Sequence, residues 1–248
     1  MLKLKCLAMV PKLTSSINIQ VIASGSSGNA YLVDDGTTSV LLDAGVPLKK
    51  IQEACQYQLR KINGCLLSHS HGDHSKAVQK LAERGIDIYC AAETLQELGF
   101  TGHRMKAVRP QQQFEIGSLS IMPFELVHDV VNMGYLVASK KTREKLVYIT
   151  DTAYCRYCFS GLTHIMIEAN HDKTVMRQNV VNGVIPDSLR ERIIGSHMSI
   201  TTALEFIRAN KQSTLKQIYL LHLSDDNSMA DDFKHSVQEL SGAEVIIC

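Results

Sequence analysis

Proline and glycine are scarce in this chain, with 5 and 15 of 248 residues, and neither acidic nor basic residues are in clear excess. Apolar residues make up 45% and charged residues 21%, a balance that excludes collagen-like, low-complexity and intrinsically disordered proteins. Because 26 lysines and arginines stand against 25 acidic residues, the net charge of +1 provides no overall field that would attract nucleic acid or an anionic membrane. Binding of such a partner would need a local patch or a bound metal ion.

Long apolar segments are missing as well. No window approaches the roughly 18 consecutive apolar residues of a membrane span, so we expect no membrane partner. Residues 6–10 form a short apolar stretch that Pro11 ends, and this stretch is shorter than the signal-peptide core of about 7–15 residues. We interpret residues 1–16 as an N-terminal extension or a first strand.

Paired cysteines are rare. The seven cysteines are an odd number and stand far apart except for Cys155 and Cys158, which predicts reduced thiols in a cytoplasmic protein. The Cys155-x-x-Cys158 pair could be half of a zinc site or a redox motif, but no second pair follows it. Two partly buried thiols are the simpler interpretation.

The sequence also lacks repeats, charge blocks and linkers, which predicts a single domain over residues 1–248. Short β-type runs, such as 39–42, alternate with helical patterns, such as the one carrying Ile200, Leu204 and Ile207. This mixture predicts an α/β architecture with helices packed outside the sheets. The spacing does not distinguish one sheet from two.

What the sequence does have is one dense group of potential metal ligands. The motif His69-x-His71-x-Asp73-His74 follows an apolar strand at 65–67 and precedes a helix. Alternating side chains of a strand-end loop can converge on one point, and the next helical turn carries the last two ligands to an adjacent point. Imidazole nitrogens and carboxylate oxygens are ligands of zinc and of neighbouring metals. Four such groups exceed what one tetrahedral ion with an open position takes from one segment, so the spacing predicts two metal ions.

Other strand ends offer further ligands. Asp43, His128, Asp151 and His222 each stand directly after an apolar strand. Taken singly, each is more simply a capping aspartate or a hydrogen-bonded histidine. Because open α/β sheets place their sites at strand ends, the four residues together with the motif predict a shared metal site.

With these residues the chain resembles the metallo-β-lactamase superfamily, whose hallmark is H-x-H-x-D-H on a four-layer αββα sandwich. The likeness runs from about residue 17 to the C-terminus, and it implies this α/β fold and two divalent ions per chain, zinc or manganese. It also implies that Asp43 orients a ligand histidine. The resemblance implies that one metal is held by His69, His71 and His128. It implies that the other metal is held by Asp73, His74 and His222, and that the carboxylate of Asp151 bridges the two.

The bridging position separates branches of this superfamily. Drug-hydrolysing lactamases of the best-known type have a cysteine there, whereas Asp151 resembles the branches that hydrolyse phosphodiesters and thioesters. Segments 25–29, 168–172 and 196–199 look like the small WalJ (YycJ) type of bacterial exonuclease, a family that attacks DNA from its 5′ end. That family more often has Gly-His-Leu-Ser-Asn where this chain has Ser-His-Met-Ser-Ile. The interval between Asp151 and the last ligand histidine is too short for the extra domain of the larger RNA-cleaving relatives.

The hypothesis for the reaction is a phosphodiesterase with two metal ions about 3.5–4 Å apart and a metal-bridging hydroxide as the nucleophile. The leaving oxygen needs a proton, for which His197 and His171 are the candidates. With Asp73 they form the predicted catalytic residues, and Glu168 is interpreted as a brace of its loop. Predicted substrate contacts are Ser27, Asn29, Asn170, His171, His197 and Arg177.

Cations for a DNA partner have to be local. Arg177, Arg190 and Arg192 lie in the stretch between the two candidate histidines. A charge run is usually a solvated face, but phosphate backbones need nearby cations, and the net charge supplies none. This stretch is therefore the predicted DNA contact.

Two other functions remain open. A thioesterase of the glyoxalase type shares the ligand set, although such relatives usually carry a C-terminal helical extension for which the stretch after His222 has little room. A non-catalytic zinc scaffold would need closed, four-ligand coordination, whereas the motifs supply more ligands than that. The 5′ polarity of the reaction comes from the resemblance.

Overall fold

The elements follow the alternation of strands and helices seen in the sequence. The structure is a computed structural model that describes residues 16–248. The interpretation of residues 1–16 as an extension or first strand therefore lies, apart from Ser16, outside the described residues.

The described strands form two mixed sheets, and in each sheet neighbouring strands are consecutive in the chain. The first sheet has six strands: β1 (Asn18–Ala23), β2 (Ala30–Asp34), β3 (Ser39–Leu42), β4 (Ile62–Leu66), β5 (Ile88–Cys90) and β6 (Met105–Ala107). The second has seven: β7 (Phe114–Ile116), β8 (Leu119–Leu126), β9 (Asn132–Ser139), β10 (Lys145–Ile149), β11 (His164–Glu168), β12 (Gln217–Leu221) and β13 (Glu244–Ile247). Strands β3 to β6 and β10 to β13 pair in parallel, and the other neighbours pair antiparallel.

Helices cover the outer face of each sheet. The α-helices of the described residues are α1 (Leu48–Ala54), α2 (Gly72–Ser75), α3 (Val78–Glu83), α4 (Ala92–Glu97), α5 (Lys173–Val181), α6 (Asp187–Ser196), α7 (Ile200–Asn210) and α8 (Ala230–Ser241). Apolar residues of α1 and α3 pack in one cluster on the first sheet, and those of α7 and α8 pack in another on the second. A third cluster fills the space between the sheets.

The two-residue period of the strands produces these layers. In β10, Val147 and Ile149 belong to the cluster under α7 and α8, whereas Leu146 and Tyr148 belong to the cluster between the sheets. Because successive side chains point to opposite faces, one short apolar strand supplies two layers of core. The structure thus confirms the α/β class and the four-layer αββα sandwich.

Several helices and strands of the structure are not predicted by the sequence analysis. The spacing predicts neither α5 and α6 nor the short strands β6, β7 and β13. Helices α5 and α6 carry the exposed apolar residues Val181, Leu189 and Ile194. Helices that bury little of their surface show weak apolar periodicity. Among residues 16–248, no helix has the length and apolar character needed to cross a membrane.

Hydrogen bonds between the sheets hold the ends of their strands together. The hydroxyl of Tyr135, in β9, donates to the carbonyl of Leu67 just after β4, at 2.7 Å. The backbone N–H of Met133 donates to the carbonyl of Ser68 at 3.0 Å. The loops that follow β3, β4, β10 and β12 therefore meet at one edge of the sandwich.

Candidate metal centre

Three of the strands at this edge are followed by residues with a left-handed backbone. Asp43, Asp151 and His222 have φ values of 56°, 48° and 53°. A residue with a Cβ adopts this conformation at a cost of roughly 1–3 kcal/mol, so the surrounding structure must hold it. The three side chains belong to one network, in which Asp151 contacts His222 and His74, and His74 contacts Asp43. The residues with a strained backbone thus belong to the same network as the candidate metal ligands.

The first ligand group consists of three imidazoles. The Nδ1 atom of His71 lies 3.1 Å from Nε2 of His69 and 3.3 Å from Nε2 of His128. Ligands at 2.0–2.1 Å from a tetrahedral zinc ion are about 3.4 Å apart, so these three nitrogens fit one ion. Nδ1 of His128 lies 3.1 Å from the carbonyl of Ser196, to which it can donate, so Nε2, which is also 3.0 Å from Oδ1 of Asp129, is the nitrogen that can act as a ligand.

The second group surrounds the carboxylate of Asp151. Its Oδ1 lies 3.3 Å from Nε2 of His74 and 3.1 Å from Nδ1 of His222, and Asp73 Oδ2 lies 3.5 Å from the same His74 nitrogen. Atoms of His69, His74 and Asp151 also fall within 4.8 Å of one another. The donor set of imidazoles and carboxylates is one that zinc and manganese accept. His222 stands slightly apart from Asp73 and His74, since it groups with Asp151, Glu168 and His197.

Asp43 lies behind this group rather than in it. Its Oδ2 is 2.7 Å from Nδ1 of His74, so the Nε2 atom of that ring turns toward Asp73 and Asp151. The carboxylate also accepts hydrogen bonds from the N–H and hydroxyl of Ser68 and from the hydroxyl of Tyr148. Ser68 and Tyr148 are absent from the sequence-based site, although Ser68 adjoins the motif and could have been noticed there.

A glycine allows the two loops around Asp43 and His74 to touch. A Cβ on Gly45 would lie 1.5 Å from the carbonyl oxygen of Asp73, so only glycine fits at this position. Next to it, the N–H of Ala44 donates to the carbonyl of His74 at 2.7 Å. This backbone contact fixes the positions of the two ligands at the start of α2.

Burial and charge act in opposite directions on the site. Burial alone would raise the pKa of Asp151, but His74 and His222 hold it well below its usual value. Burial alone would lower the pKa values of His74 and His222, but Asp151 raises both, that of His222 to about 10. For His69, by contrast, burial and the neighbouring His74 keep the pKa well below its usual value, so that ring is neutral and ready to act as a ligand.

Glu168 and His197 form a buried acid–base pair beside the ligands. Nδ1 of His197 lies 2.6 Å from Oε1 of Glu168, and the other carboxylate oxygen accepts the N–H groups of Thr152 and Met198. Burial alone would lower the pKa of His197, but Glu168 raises it. Glu168 thus holds the imidazole in place in addition to bracing its loop, and the sequence analysis missed the first of these roles.

His171 lies outside this arrangement. Its side chain is 1% exposed, and it is not among the residues that line the two cavities at the site. Neither ring nitrogen has a hydrogen-bond partner among the described residues, and burial lowers its pKa to about 4. The carboxylate of the next residue, Asp172, caps α5 by accepting the N–H groups of Thr174 and Val175. His171 therefore lines neither cavity, although the charges of Glu168 and His197 act on its ring.

Two adjoining cavities open at the site. The smaller, about 260 Å³, is lined by ligands of both groups and by Arg192; the larger, about 500 Å³, lies beyond His197. We call them the metal cavity and the outer cavity. Of the three arginines singled out in the sequence, Arg190 is ion-paired with Asp187, and Arg177 is exposed on α5 and lines neither cavity. Arg192 is therefore the arginine best placed for a substrate.

The other predicted substrate contacts are spread around these cavities. Ser27 and Asn170 line the outer cavity, and Asn170 also donates to the carbonyl of His222 at 2.9 Å. Asn29 is fully buried, with its amide bonded to the backbone of Gly25 and its nitrogen 3.0 Å from Nε2 of His74. The Gly25–Asn29 loop is thus a tight turn that supports a ligand.

Comparison with known proteins agrees with this geometry. Residues 38–223 match the β-lactamase superfamily domain. The chain is 30% identical over 228 residues to exodeoxyribonuclease WalJ of Streptococcus pneumoniae, covering 85% of this chain and 83% of the relative. It is 27% identical over 243 residues to exodeoxyribonuclease YycJ of Bacillus anthracis, covering 90% and 89%. The crystal structure of the metallo-β-lactamase fold protein YhfI from Bacillus subtilis superposes with a TM-score of 0.70 at 20% identity, covering 94% of this chain and 96% of that one.

Proposed function

Because this chain belongs to the β-lactamase superfamily, we propose that it is a two-metal phosphodiesterase that removes nucleotides from the 5′ end of DNA. Its family, fold and relatives make it a metal-dependent hydrolase, which sets aside the alternative of a non-catalytic zinc scaffold. The observation that carries the proposal is the position of Asp151. Ligand atoms of His69 and of His74 lie within 4.8 Å of its carboxylate, and its Oδ1 is 3.3 Å from Nε2 of His74 and 3.1 Å from Nδ1 of His222, so Asp151 adjoins residues of both ligand groups.

The residues that would hold the metal ions are the two groups described above. His69, His71 and His128 would hold one ion, and Asp73, His74 and His222 would hold the other, with Asp151 shared. The contacts of His74 with Asp73 and Asp151, and of His222 with Asp151, support the second set. Divalent ions at such a centre supply an activated water and positive charge next to the phosphoryl oxygens. Asp43 fixes the orientation of His74 through its Nδ1 atom.

His197 is the proposed proton donor to the leaving oxygen. Its ring lines both cavities, and because Glu168 takes Nδ1, the Nε2 atom is the one available to a substrate. The raised pKa of His197 favours the protonated ring that a general acid needs. Glu168 acts as a positioning residue, and His171 has no part in this step.

Arg192 is the proposed contact to a substrate phosphate. It projects from α6 into the metal cavity, and none of the ion pairs among residues 16–248 involves it. We expect Arg192→Ala to raise the KM for DNA on the order of tenfold, as a charge-assisted hydrogen bond to phosphate is lost. Arg177→Ala, the matched control on α5, should change KM less than about twofold; equal losses in both variants would contradict the assignment.

The function itself is tested with labelled DNA. The purified protein, supplied with manganese or zinc, is incubated with linear duplexes radiolabelled at either the 5′ or the 3′ end and with covalently closed circles. We expect immediate release of the 5′ label as a nucleotide, gradual shortening of the 3′-labelled strand, intact circles and no reaction with a chelator present. First release of the 3′ label would overturn the polarity. Cleavage of a glutathione thioester without cleavage of DNA would favour the glyoxalase type instead.

A further inference from the structure

The outer cavity adjoins the metal cavity, and of the proposed metal ligands only His222 lines it. Its volume of about 500 Å³ compares with about 260 Å³ for the metal cavity, and the two share Ser26, His197 and His222. A pocket of this size is in the range that binds a small organic molecule. Since a general acid lies beside the atom that it protonates, the group that leaves from the metal cavity would enter the outer cavity past His197.

The two walls of the outer cavity differ in chemistry. Ile185, Leu189 and Ile193, from α6 and the segment before it, form an apolar wall. Most of the remaining lining comes from the 24–27 loop and the 223–227 loop, which offer hydroxyl, amide and backbone groups. A nucleoside has the matching character, because its base is a flat ring with apolar faces and its edges and sugar carry polar groups.

The charges in the outer cavity suit a chain end better than a continuing strand. Asp225 and Asp226 line it, the described lining residues include no lysine or arginine, and the basic residues that do line it, His197 and His222, stand at its boundary with the metal cavity. A groove that follows a nucleic-acid backbone carries cations along its length, because each successive phosphate is negative. The outer cavity therefore has the composition of a pocket in which a strand ends.

We propose that the outer cavity binds the terminal nucleoside, the one that leaves, and that α6 recognises its base through Leu189 and Ile193. This inference rests on the proposed nuclease function. In the step concerned, the bond between phosphorus and O3′ of the terminal nucleoside breaks, and O3′ receives a proton from His197. The water oxygen bonds to phosphorus with one of its hydrogens, and the other hydrogen replaces the proton that His197 gave. The shortened strand keeps a 5′-phosphate, and the base and sugar of its new terminal nucleotide can enter the cavity with this phosphate directed away from Asp225 and Asp226.

The test compares two substrates. Bis(p-nitrophenyl) phosphate is a small diester that reports on the metal centre, whereas a DNA strand also needs the terminal pocket. We expect Leu189→Ala/Ile193→Ala to lower the ratio of kcat/KM for DNA to kcat/KM for the small diester on the order of tenfold, through the KM for DNA. Ile194→Ala, on the same helix but outside the lining, should leave the ratio unchanged. An unchanged ratio in the double variant, or an equal fall in the control, overturns the proposal.

A second pair of variants keeps the test valid if the double alanine variant unfolds α6. Leu189 and Ile194 are 37% and 39% exposed, so glutamate at either position adds the same charge to the same helix at a similar depth. Leu189→Glu should lower the ratio at least about fivefold more than Ile194→Glu, because only the first places a carboxylate in the pocket. Equal effects would mean that the added charge repels DNA in general and that the pocket is not used.

Binding can also be measured without turnover. In the protein as purified, with isotope-labelled isoleucine and leucine methyl groups, thymidine should shift the methyl signals of Ile185, Leu189 and Ile193 and leave that of Ile194 in place. Shifts confined to other residues, or no shifts at millimolar thymidine, would overturn the proposal. If wild-type protein cleaves neither substrate of the ratio test, the proposed function fails; if it cleaves both and the variants do not separate them, only the pocket fails.

Discussion

The two sides of the candidate site are built in different ways. On one side, His69, His71, Asp73 and His74 come from a single six-residue stretch and are held by the loop around Asp43. On the other side, Asp151, Glu168, His197 and His222 come from four separate segments that only the fold brings together. The first side is complete as soon as one loop forms, whereas the second exists only once β10, β11, β12 and the α6–α7 turn are all in place. We therefore expect metal binding to depend on both sides and proton transfer to depend on the second.

The largest expected effect comes from Asp151, the residue of the second side that is proposed to contact both metal ions. Asp151→Asn should lower metal content and reduce kcat/KM on the order of a thousandfold, because bound metals stabilise the transition state by several kcal/mol. The fold should survive, since the amide keeps the shape of the carboxylate. Metal analysis and nuclease assays measure both effects, with Asp232→Asn on α8 as a control of equal charge change. Wild-type metal content and turnover in Asp151→Asn would remove this residue from the bridge.

A second prediction separates proton transfer from metal binding. His197→Gln should lower kcat by about 10²–10⁴ with metal content unchanged, as expected for loss of a general acid. Glu168→Gln should have a smaller effect, about 10–100-fold, and should also move the alkaline limb of the pH–rate profile to lower pH. The sign follows from Glu168, which raises the pKa of His197; without that charge, the ring loses its proton at lower pH. An unmoved limb in Glu168→Gln would mean that His197 is not the group that titrates.

The third prediction concerns the support of the loop side. Asp43→Asn should weaken metal binding by about 10–100-fold, because His74 loses the carboxylate that orients its ring. Tyr148→Phe removes one hydrogen bond from the same carboxylate and should weaken metal binding only a few-fold. Competition with a chelator measures both affinities. A larger effect in Tyr148→Phe than in Asp43→Asn would contradict this order of support.

The smallest effect on activity is expected at His171, which was predicted from the sequence as catalytic. His171→Gln should leave kcat/KM within about twofold, because the ring lines neither cavity.

The same variant should instead change the acid stability of the protein. The folded pKa of His171, about 4, lies below the value of about 6.5 for an unfolded histidine. The contribution of His171 to the free energy of unfolding is therefore fully present above about pH 6.5. It is lost as the pH falls toward 4, because the unfolded chain takes up the proton first. Urea unfolding measures the free energy of unfolding at about pH 7.5 and at about pH 5. Between these two pH values, wild type should lose on the order of 1–2 kcal/mol more of this free energy than His171→Gln. An activity loss like that of His197→Gln would restore His171 to the site.

The difference between the two sides also explains what the sequence could and could not predict. The ligand motif and the strand ends at Asp43, Asp151 and His222 were accessible, because they depend on local order. The four-layer fold came from the family resemblance, since the apolar period alone does not distinguish one sheet from two. The link between Glu168 and His197 was not, since the two residues lie far apart in the chain and meet only in the fold. The sequence analysis predicted Arg177 as a substrate contact, whereas the structure places Arg192 at the metal cavity. The cause is similar, because α5 and α6 show too little apolar periodicity to indicate which arginine faces the site.

The central claim is that two divalent ions bind side by side between the loop side and the assembled side. The most direct test is a crystal structure of the protein loaded with manganese or zinc, with the ions located by anomalous scattering. The account predicts two peaks about 3.5–4 Å apart, one among His69, His71 and His128 and one among Asp73, His74 and His222, both touching Asp151. A single peak, or ions bound at Cys155 and Cys158 with the histidine groups empty, would contradict it.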